Sequence, residues 1–315
     1  MALMFPHAGE RLQIAEAHDI VMPQAEWATI LQGVEAVFHV AATLPRSNEM
    51  VQAVYDSLIE GIRSLLQAVG SQHSIKRFIL TGSHGVFYQS GMRNVFDPAT
   101  IFDENSWNES KEVDLESQHA FSVYLDCKAM AEKMMWRAAE EYTHVDFTSV
   151  HPPTVYGVPT DGYPREDNLN SMNANKFIYQ LIQHDLEFPT YSIPHCCHVR
   201  DVAKAHVRAL TAPSINGVKK RFILCAGLLD WAEAIHFLQE SRPAISTRLP
   251  DPALAHRTPL ARYKVDTTLS DRLLGVRPIS PKDILLEVID YLLEWEKDKN
   301  ESDLTDRVQP EVPSK

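Results

Sequence analysis

The stretch RFILTGS, residues 77–83, has the pattern of a buried strand that ends in a turn. Three apolar residues in succession favour a strand covered on both faces, and the Thr-Gly-Ser ending is typical of a sharp turn. Similar apolar runs lie at residues 11–17, 36–42 and 145–153. Helical patterns separate these runs, so strands and helices alternate along the chain. This alternation predicts an α/β fold with a doubly wound parallel sheet.

Two of the separating segments carry the apolar stripe of a buried helix. In SLIEGIRSLLQAVG, residues 57–70, Gly70 takes the helix-stop position, and the stripe consists of Leu58, Ile59, Ile62, Leu65, Leu66 and Val69. In YLDCKAMAEKMMWRAAEEY, residues 124–142, the stripe consists of Ala131, Met134, Met135 and Ala138. We therefore expect these methionines to fill the core.

Beyond Pro152 the alternation becomes less regular. The sequence predicts a dinucleotide-binding part over residues 1–153 and a smaller C-terminal substrate lobe, mainly within 154–298, that returns to the sheet near 198–227. The charged, proline-containing end, residues 299–315, is predicted to be a disordered tail.

The composition excludes several classes of partner. A formal net charge of −12 with no cluster of Lys or Arg disfavours nucleic acid and anionic membranes. The N-terminus lacks the apolar core of a secretory signal, and no apolar run approaches the roughly 18 residues of a membrane span. The four cysteines do not form the pattern of a disulfide framework. We therefore expect a cytoplasmic protein that acts on a small molecule.

Tyr124 and Lys128 stand one helical turn apart within SVYLDCKAMAE, residues 122–132. On a helix both side chains share a face, where the cation favours the ionised form of the tyrosine. A tyrosine in this setting can act as a general acid or base near pH 7. The Y-x-x-x-K spacing is common by chance, so on its own it favours a solvated helix face.

Ser83 gives this spacing a structural context. It closes the strand of RFILTGS, and in an open parallel sheet ligands bind beyond the carboxyl ends of the strands. A hydroxyl at that place can hydrogen-bond a substrate carbonyl oxygen while Tyr124 supplies a proton. A capping or turn serine is the competing interpretation.

Several segments, in this order, resemble the extended short-chain dehydrogenases/reductases, which include the NAD-dependent epimerase/dehydratases. GVEAVFHVAA (33–42) resembles the family's fourth strand, and RFILTGSHGVF (77–87) resembles its fifth strand with the catalytic serine. YLDCKAMAE (124–132) is similar to the Y-x-x-x-K helix, and HPPTVYGVP (151–159) and HVRDVAKAHVRAL (198–210) are similar to later segments. The phrases VRDVAKAH and RFILCAG are most similar to the dihydroflavonol reductase and aldehyde/ketone reductase branch.

The resemblance implies a Rossmann-like fold and a catalytic triad of Ser83, Tyr124 and Lys128. It also implies a nicotinamide cofactor, NADP(H) in preference to NAD(H), whose ribose Lys128 contacts. The other implied cofactor-binding residues are Asp19 at the adenine, Ala41, Pro152 and Val155. His151 stands where family members usually have asparagine.

The chain departs from the family at its beginning. The family opens with a strand, a G-x-x-G-x-x-G turn and a helix, whereas here the run at 11–17 resembles the third strand and only Gly9 precedes it. The missing unit is roughly 30 residues or more. In the strand order 3-2-1-4-5-6, its loss leaves one strand unpartnered and exposes the edge of another. We therefore expect an N-terminally truncated sheet, explained by an incomplete gene sequence, a partner chain that supplies the missing half, or a degenerate family member.

Two further signals have competing interpretations. HCCH, residues 195–198, offers four metal ligands, but neighbouring side chains of an extended segment point to opposite faces and cannot converge on one zinc ion. We therefore predict no metal site. His84 either contacts the substrate or fills the loop after Ser83, and both remain open.

The sequence thus predicts an NAD(P)-dependent oxidoreductase, similar to ketone and aldehyde reductases, that acts on a small organic carbonyl or alcohol in secondary metabolism. An epimerase or dehydratase is the alternative within this class. A catalytically silent family member, acting as a dimerisation or regulatory partner, is the alternative from another class. The resemblance also implies a homodimer that pairs through the helices carrying the triad.

Overall fold

The computed structural model describes residues 4–110, 112–116, 119–163, 169–183, 186–189, 193–257 and 260–308. The strands are β1 (Ala36–His39), β2 (Arg77–Thr81), β3 (Ile101–Phe102), β4 (Asp146–His151), β5 (Thr154–Tyr156), β6 (His195–His198), β7 (Arg221–Ile223), β8 (Gly227–Leu228) and β9 (Lys264–Val265). The helices are α1 (Gln24–Ile30), α2 (Val51–Tyr55), α3 (Gly61–Ser71), α4 (Ala120–Glu141), α5 (Asn175–Tyr179), α6 (Val199–Ala209), α7 (Trp231–Ser241), α8 (Thr268–Leu274) and α9 (Pro281–Val308).

The main sheet has four parallel strands in the order β1-β2-β4-β7. Side chains alternate across it, so Phe78 and Leu80 pack on one face with α3 and α4, whereas Ile79 packs on the other face with α6 and α8. Both faces of β2 are buried, as its continuous apolar run predicts. The predicted α/β class with helices on both faces of a parallel sheet is confirmed.

Residues 51–71 form one continuous helical segment, in which a wide π turn at Asp56–Glu60 joins α2 to α3. All six residues of the predicted apolar stripe are buried. The prediction that Gly70 stops the helix is wrong, because α3 continues to Ser71. Gly70 instead lies against the ring of Tyr142, where an added Cβ would stand 2.4 Å from the ring. Packing rather than helix termination requires glycine there.

The predicted strand over residues 11–17 does not form. Arg11 ends a short 3₁₀ turn, and the segment after it has no regular structure and is largely exposed, with Ile14 61% exposed. A strand gains its hydrogen bonds from a neighbour, and among the described residues β1 is hydrogen-bonded to β2 alone. None of the described strands is hydrogen-bonded to the segment, and the other edge of β1 carries no strand in the part of the chain that the structure describes.

The C-terminal part builds its own core around α5, α7 and α9. A second sheet, β5-β6-β8, lies beside it, and β3 pairs with β9. After α6 the chain returns to the main sheet as β7, next to β4. Helix α9 continues to Val308, so part of the predicted tail is helical, and residues 309–315 lie outside the described residues. The domain limits themselves stay a prediction.

Candidate active site

Ser83 caps the short 3₁₀ turn that follows β2. Its backbone is extended, and its Oγ accepts a hydrogen bond from the backbone N–H of Gly85 at 3.1 Å. A serine at such a cap fixes the direction of its hydroxyl at the carboxyl end of the strand. Ser83 is half-buried, so the hydroxyl is held by the turn without being sealed inside the core.

Helix α4 places Tyr124 and Lys128 on one buried face. Tyr124 is 9% exposed and Lys128 is 6% exposed, and the Lys128 ammonium lies 5.9 Å from the centre of the Tyr124 ring. The solvated helix face that the spacing alone favours is therefore not what the chain forms. Phe121, one turn before Tyr124, stacks on its ring with a centre-to-centre distance of 6.0 Å.

Lys128 connects this helix to the strand that precedes Ser83. Its Nζ donates a hydrogen bond to the backbone oxygen of Thr81 at 2.9 Å, two residues before Ser83. Burial lowers the pKa of Lys128 to about 8. The Lys128 charge also helps to lower the pKa of His39 to about 4, although burial is the larger cause. The ammonium thus lies near the ends of β1 and β2.

The Ser83 turn packs directly on α4. A Cβ added at Gly85 would stand 2.4 Å from Leu125 Cδ2, so the turn approaches the helix more closely than a larger residue permits. Leu125 follows Tyr124 in the chain. The structure therefore brings the turn of Ser83 against the helix segment that carries Tyr124 and Lys128.

The predicted cofactor-side residues are more widely spread. The carbonyl oxygen of Pro152 accepts the His84 N–H at 3.0 Å, so Pro152 borders the Ser83 turn. Val155 lies in β5 opposite Cys197, and Ala41 is exposed just beyond β1. Asp19 is exposed on the irregular N-terminal segment, where its Oδ1 accepts the Val21 N–H at 3.0 Å. Nothing in the described contacts joins Asp19 to the triad.

Residues 16–225 of the 315 match the model of a known family, described as the NAD dependent epimerase/dehydratase family. The chain belongs to that family. A ketoreductase of Penicillium roqueforti is 27% identical over 263 residues, which are 80% of this chain and 74% of that protein. Tetraketide alpha-pyrone reductase 2 of Arabidopsis thaliana is 27% identical over 245 residues, 76% of this chain and 69% of that protein.

Solved structures share the fold of this epimerase/dehydratase family member. The yeast methylglyoxal/isovaleraldehyde reductase complexed with NADPH aligns with a TM-score of 0.77 at 20% identity, covering 94% of this chain and 88% of that one. Vestitone reductase from alfalfa aligns with a TM-score of 0.68 at 19% identity, covering 92% and 83%. No helix in the described part of the chain is long and apolar enough to cross a membrane.

His84 fills the loop rather than facing an open site. Its ring lies 3.1 Å from the Tyr263 hydroxyl through Nδ1 and 2.9 Å from the Leu224 carbonyl oxygen through Nε2. The side chain is buried, and burial lowers the pKa of His84 to about 3. Of the two interpretations left open by the sequence, the structure supports the packing one.

The HCCH segment forms strand β6, and its four residues are buried. His195 stacks on the Tyr263 ring at 3.8 Å, whereas His198 pairs with Glu287 through Nε2 at 3.0 Å. Both imidazoles thus have protein partners. Within the described ranges, no three His, Cys, Asp or Glu side chains are grouped as a metal site requires.

Sequence reasoning missed a buried polar cluster beside the triad. Glu132, one turn after Lys128, forms an ion pair with Arg221 of β7, and His151 of β4 lies 3.1 Å from the same carboxylate. The signal available was a glutamate within the apolar stripe of a helix, a position where an unpaired charge is costly.

Proposed function

We propose that this chain is an NAD(P)H-dependent reductase that converts the carbonyl group of a small organic molecule to an alcohol, in secondary metabolism. One observation carries the proposal: Lys128, a buried cation, lies beside Tyr124 and donates to the strand end that presents Ser83. The reductase relatives support the same reaction class. They give no support to a silent family member, and the site geometry gives no separate reason for an epimerase or dehydratase.

The three side chains divide the chemistry between them. The Ser83 hydroxyl, which accepts from Gly85 N–H, keeps its own proton for donation to the substrate carbonyl oxygen. Tyr124 transfers its phenolic proton to that oxygen as the oxygen becomes an alcohol. Lys128, with a pKa of about 8, still carries its charge at pH 7 and stabilises the phenolate that remains. A bound reduced nicotinamide supplies the hydride that the carbonyl carbon receives.

The residues near the triad fit the nicotinamide end of such a cofactor. The Lys128 ammonium has three N–H groups, and one of them is used by Thr81 O in the described part of the chain. A buried ammonium group can donate hydrogen bonds to the hydroxyl oxygens of a ribose. Pro152 and Val155 would lie on the nicotinamide side, Ala41 near the cofactor and Asp19 at the adenine. We infer NADP(H) rather than NAD(H), supported by the NADPH-bound yeast reductase.

We also propose a cytoplasmic location and a homodimer. The four cysteines are free thiols, which suits a reducing compartment. Multi-angle light scattering of the purified protein measures the dimer directly, and a monomer mass at micromolar concentration would contradict it.

Tyr124→Phe tests the proposed function. The variant keeps the packing of the ring but lacks the proton, so kcat for carbonyl reduction should fall by about 10²- to 10⁴-fold. NADPH affinity, measured by fluorescence titration, should stay nearly unchanged because Lys128 makes the ribose contact. Tyr142→Phe, at the other end of the same helix, is the matched control and should keep full activity.

Two outcomes would contradict the proposal. Absence of saturable NADPH binding to the wild-type protein removes the reductase assignment for this chain. Turnover retained in Tyr124→Phe removes Tyr124 from the reaction.

A further inference from the structure

A buried polar cluster lies between α4, β4 and β7, and it contains no member of the proposed triad. Its carboxylate belongs to Glu132, two helical turns after Tyr124. Arg221 binds this carboxylate with two hydrogen bonds, from Nε to Oε1 at 2.7 Å and from Nη2 to Oε2 at 2.9 Å. Trp136 Nε1 and Ser149 Oγ donate to Oε1 at 3.0 and 2.8 Å. Glu132 and Arg221 are fully buried.

Arg221 uses its remaining donors on the loop before α4. Its Nη1 donates to the carbonyl oxygens of Glu104 at 2.8 Å and Ser106 at 2.6 Å. Its guanidinium lies 3.6 Å from the centre of the Trp107 ring. A buried ion pair is stable only when its lone pairs and protons are satisfied in this way. The Glu132–Arg221 pair is therefore fixed on every side.

His151 joins this pair to the turn of Ser83. Its Nε2 lies 2.8 Å from Ser149 Oγ and 3.1 Å from Glu132 Oε1, and its ring is fully buried. The opposite ring nitrogen, Nδ1, faces the turn, where a Cβ added at Gly82 would stand 2.2 Å away. The ring thus fills the space between the cluster and the turn.

Backbone hydrogen bonds flank this contact on both sides. Gly82 N–H donates to Val150 O at 2.7 Å, and His84 N–H donates to Pro152 O at 3.0 Å. The turn at 82–84 is therefore held against residues 150–152, with His151 in the middle. Burial lowers the pKa of His151, and the neighbouring Glu132 opposes this in part.

We propose that His151 is a positioning residue, held by the Glu132–Arg221 pair, that sets the Ser83 turn against the helix carrying Tyr124 and Lys128. The proposal rests on the proposed reductase function. Glu132 belongs to the same helix as Tyr124 and Lys128, so the distance from helix to turn depends on the side chains between them. Reactions of this kind are sensitive to displacements of about 1 Å.

Three substitutions of His151 test the roles of its two ring nitrogens separately. The side-chain nitrogen of glutamine stands as many bonds from Cβ as Nε2 of histidine, and that of asparagine as many as Nδ1. His151→Gln therefore keeps the donor to Ser149 and Glu132, His151→Asn loses that reach, and His151→Leu removes both nitrogens. The measurements are kcat for carbonyl reduction, NADPH affinity by fluorescence titration, and amide hydrogen exchange of residues 82–88.

His151→Leu should lower kcat by about a hundredfold, the scale of a misplacement near 1 Å. NADPH affinity should stay unchanged because Lys128 is intact. Exchange at residues 82–88 should accelerate, since the turn loses its support. His151→Gln should restore most of kcat and the slow exchange, and His151→Asn should fall between the two.

His198→Leu is the matched control. His198 is also fully buried, and its Nε2 pairs with Glu287, whose carboxylate Arg200 binds as well. It should lose stability without a change in kcat or in exchange at 82–88. A folded His151→Leu with wild-type kcat and exchange overturns the proposal.

If His151→Leu does not fold, the comparison of glutamine with asparagine decides. A higher kcat and slower exchange in His151→Gln support positioning through Nε2, and equal values in the two variants overturn it. A wild-type protein that binds no NADPH ends the reductase proposal, while the exchange measurement still decides whether His151 supports the turn.

Discussion

Lys128 is buried and also belongs to the proposed catalytic triad. Its side chain is almost fully buried, and its ammonium has the Thr81 carbonyl oxygen as its hydrogen-bond acceptor in the described residues. Removing a cation from water without a carboxylate partner favours the neutral amine, which explains the direction of its pKa shift. Keeping Lys128 charged therefore lowers the stability of the folded protein, whereas a charged lysine on the surface does not.

This cost should appear in the pH dependence of stability. Between pH 8 and about 10.5 the unfolded chain holds the Lys128 proton and the folded chain has released it, so wild-type stability rises with pH. Relative to Lys128→Met, the free energy of unfolding should gain up to about 3 kcal/mol across this window and stay constant below it. Urea unfolding of both proteins at pH 7, 8, 9 and 10 measures the difference.

A difference that stays flat from pH 7 to pH 10 would show that Lys128 ionises alike in the folded and unfolded chains. It would also contradict the description of Lys128 as a buried cation next to Tyr124.

At the scale of elements, the Glu132–Arg221 pair joins helix α4 to strand β7. These two elements lie far apart in sequence, and the pair spans 89 residues. The pair also reaches the loop before α4 through Glu104 and Ser106. Helix α4 is therefore fixed against the sheet by apolar packing and by this ion pair. The directional hydrogen bonds of the pair restrict how the helix can shift along the sheet.

Arg221→Met should be strongly destabilising. The substitution leaves the Glu132 carboxylate buried without its cation, a change that costs about 3–5 kcal/mol of the free energy of unfolding. Adding Glu132→Gln should recover more than half of the loss, because the buried charge is then absent. Urea unfolding of the single and double variants gives both values.

Arg242→Met is the control for this prediction. Arg242 pairs with Asp290 in an exposed setting, so its loss should cost less than about 1 kcal/mol. An equal loss in the free energy of unfolding for Arg221→Met and Arg242→Met would contradict the prediction. It would mean that breaking the buried ion pair costs no more than breaking the exposed one.

The difference between local and distant contacts explains what the sequence could predict. Strand β2 and helix α4 follow from Phe78 to Leu80 and from Tyr124 to Ala138, because each pattern is complete within its own element. The neighbourhood of Glu132 depends on β7 returning beside β4, which no local pattern specifies. The prediction for residues 11–17 shows the limit of a local pattern: the pattern indicates a strand, but the segment pairs with none of the described strands.

At the scale of the whole molecule, buried neutral histidines make the fold sensitive to acid. Burial lowers the pKa of His39 to about 4, of His84 to about 3 and of His195 to about 4. His39 is the last residue of β1, whereas His84 and His195 are neighbours whose rings lie 6.2 Å apart and both pack on Tyr263. Their protonation therefore weakens the end of β1 and the core around Tyr263.

The free energy of unfolding should fall as the pH drops below about 6.5. There the unfolded chain takes up protons that the folded chain excludes, so the stability present above pH 6.5 is lost as the pH falls toward 3–4. At pH 5 each of the three histidines should account for a loss of about 2 kcal/mol. Urea unfolding at pH 7.5 and pH 5 measures the total.

Two variants identify the source of the acid effect. His195→Gln should reduce the loss between pH 7.5 and pH 5, whereas His236→Gln, on the exposed face of α7, should leave it unchanged. Wild-type stability that is the same at both pH values would contradict the prediction.

Four of the five tryptophans give the protein two separate optical reporters once Trp27 is replaced. Trp107 lies under the Arg221 guanidinium and Trp136 donates to Glu132, so their fluorescence reports on the contact between α4 and β7. Trp231 and Trp295 belong instead to the core around α5, α7 and α9. Variants that keep only one of these pairs would show whether the sheet and the C-terminal lobe lose their structure in one transition or in two.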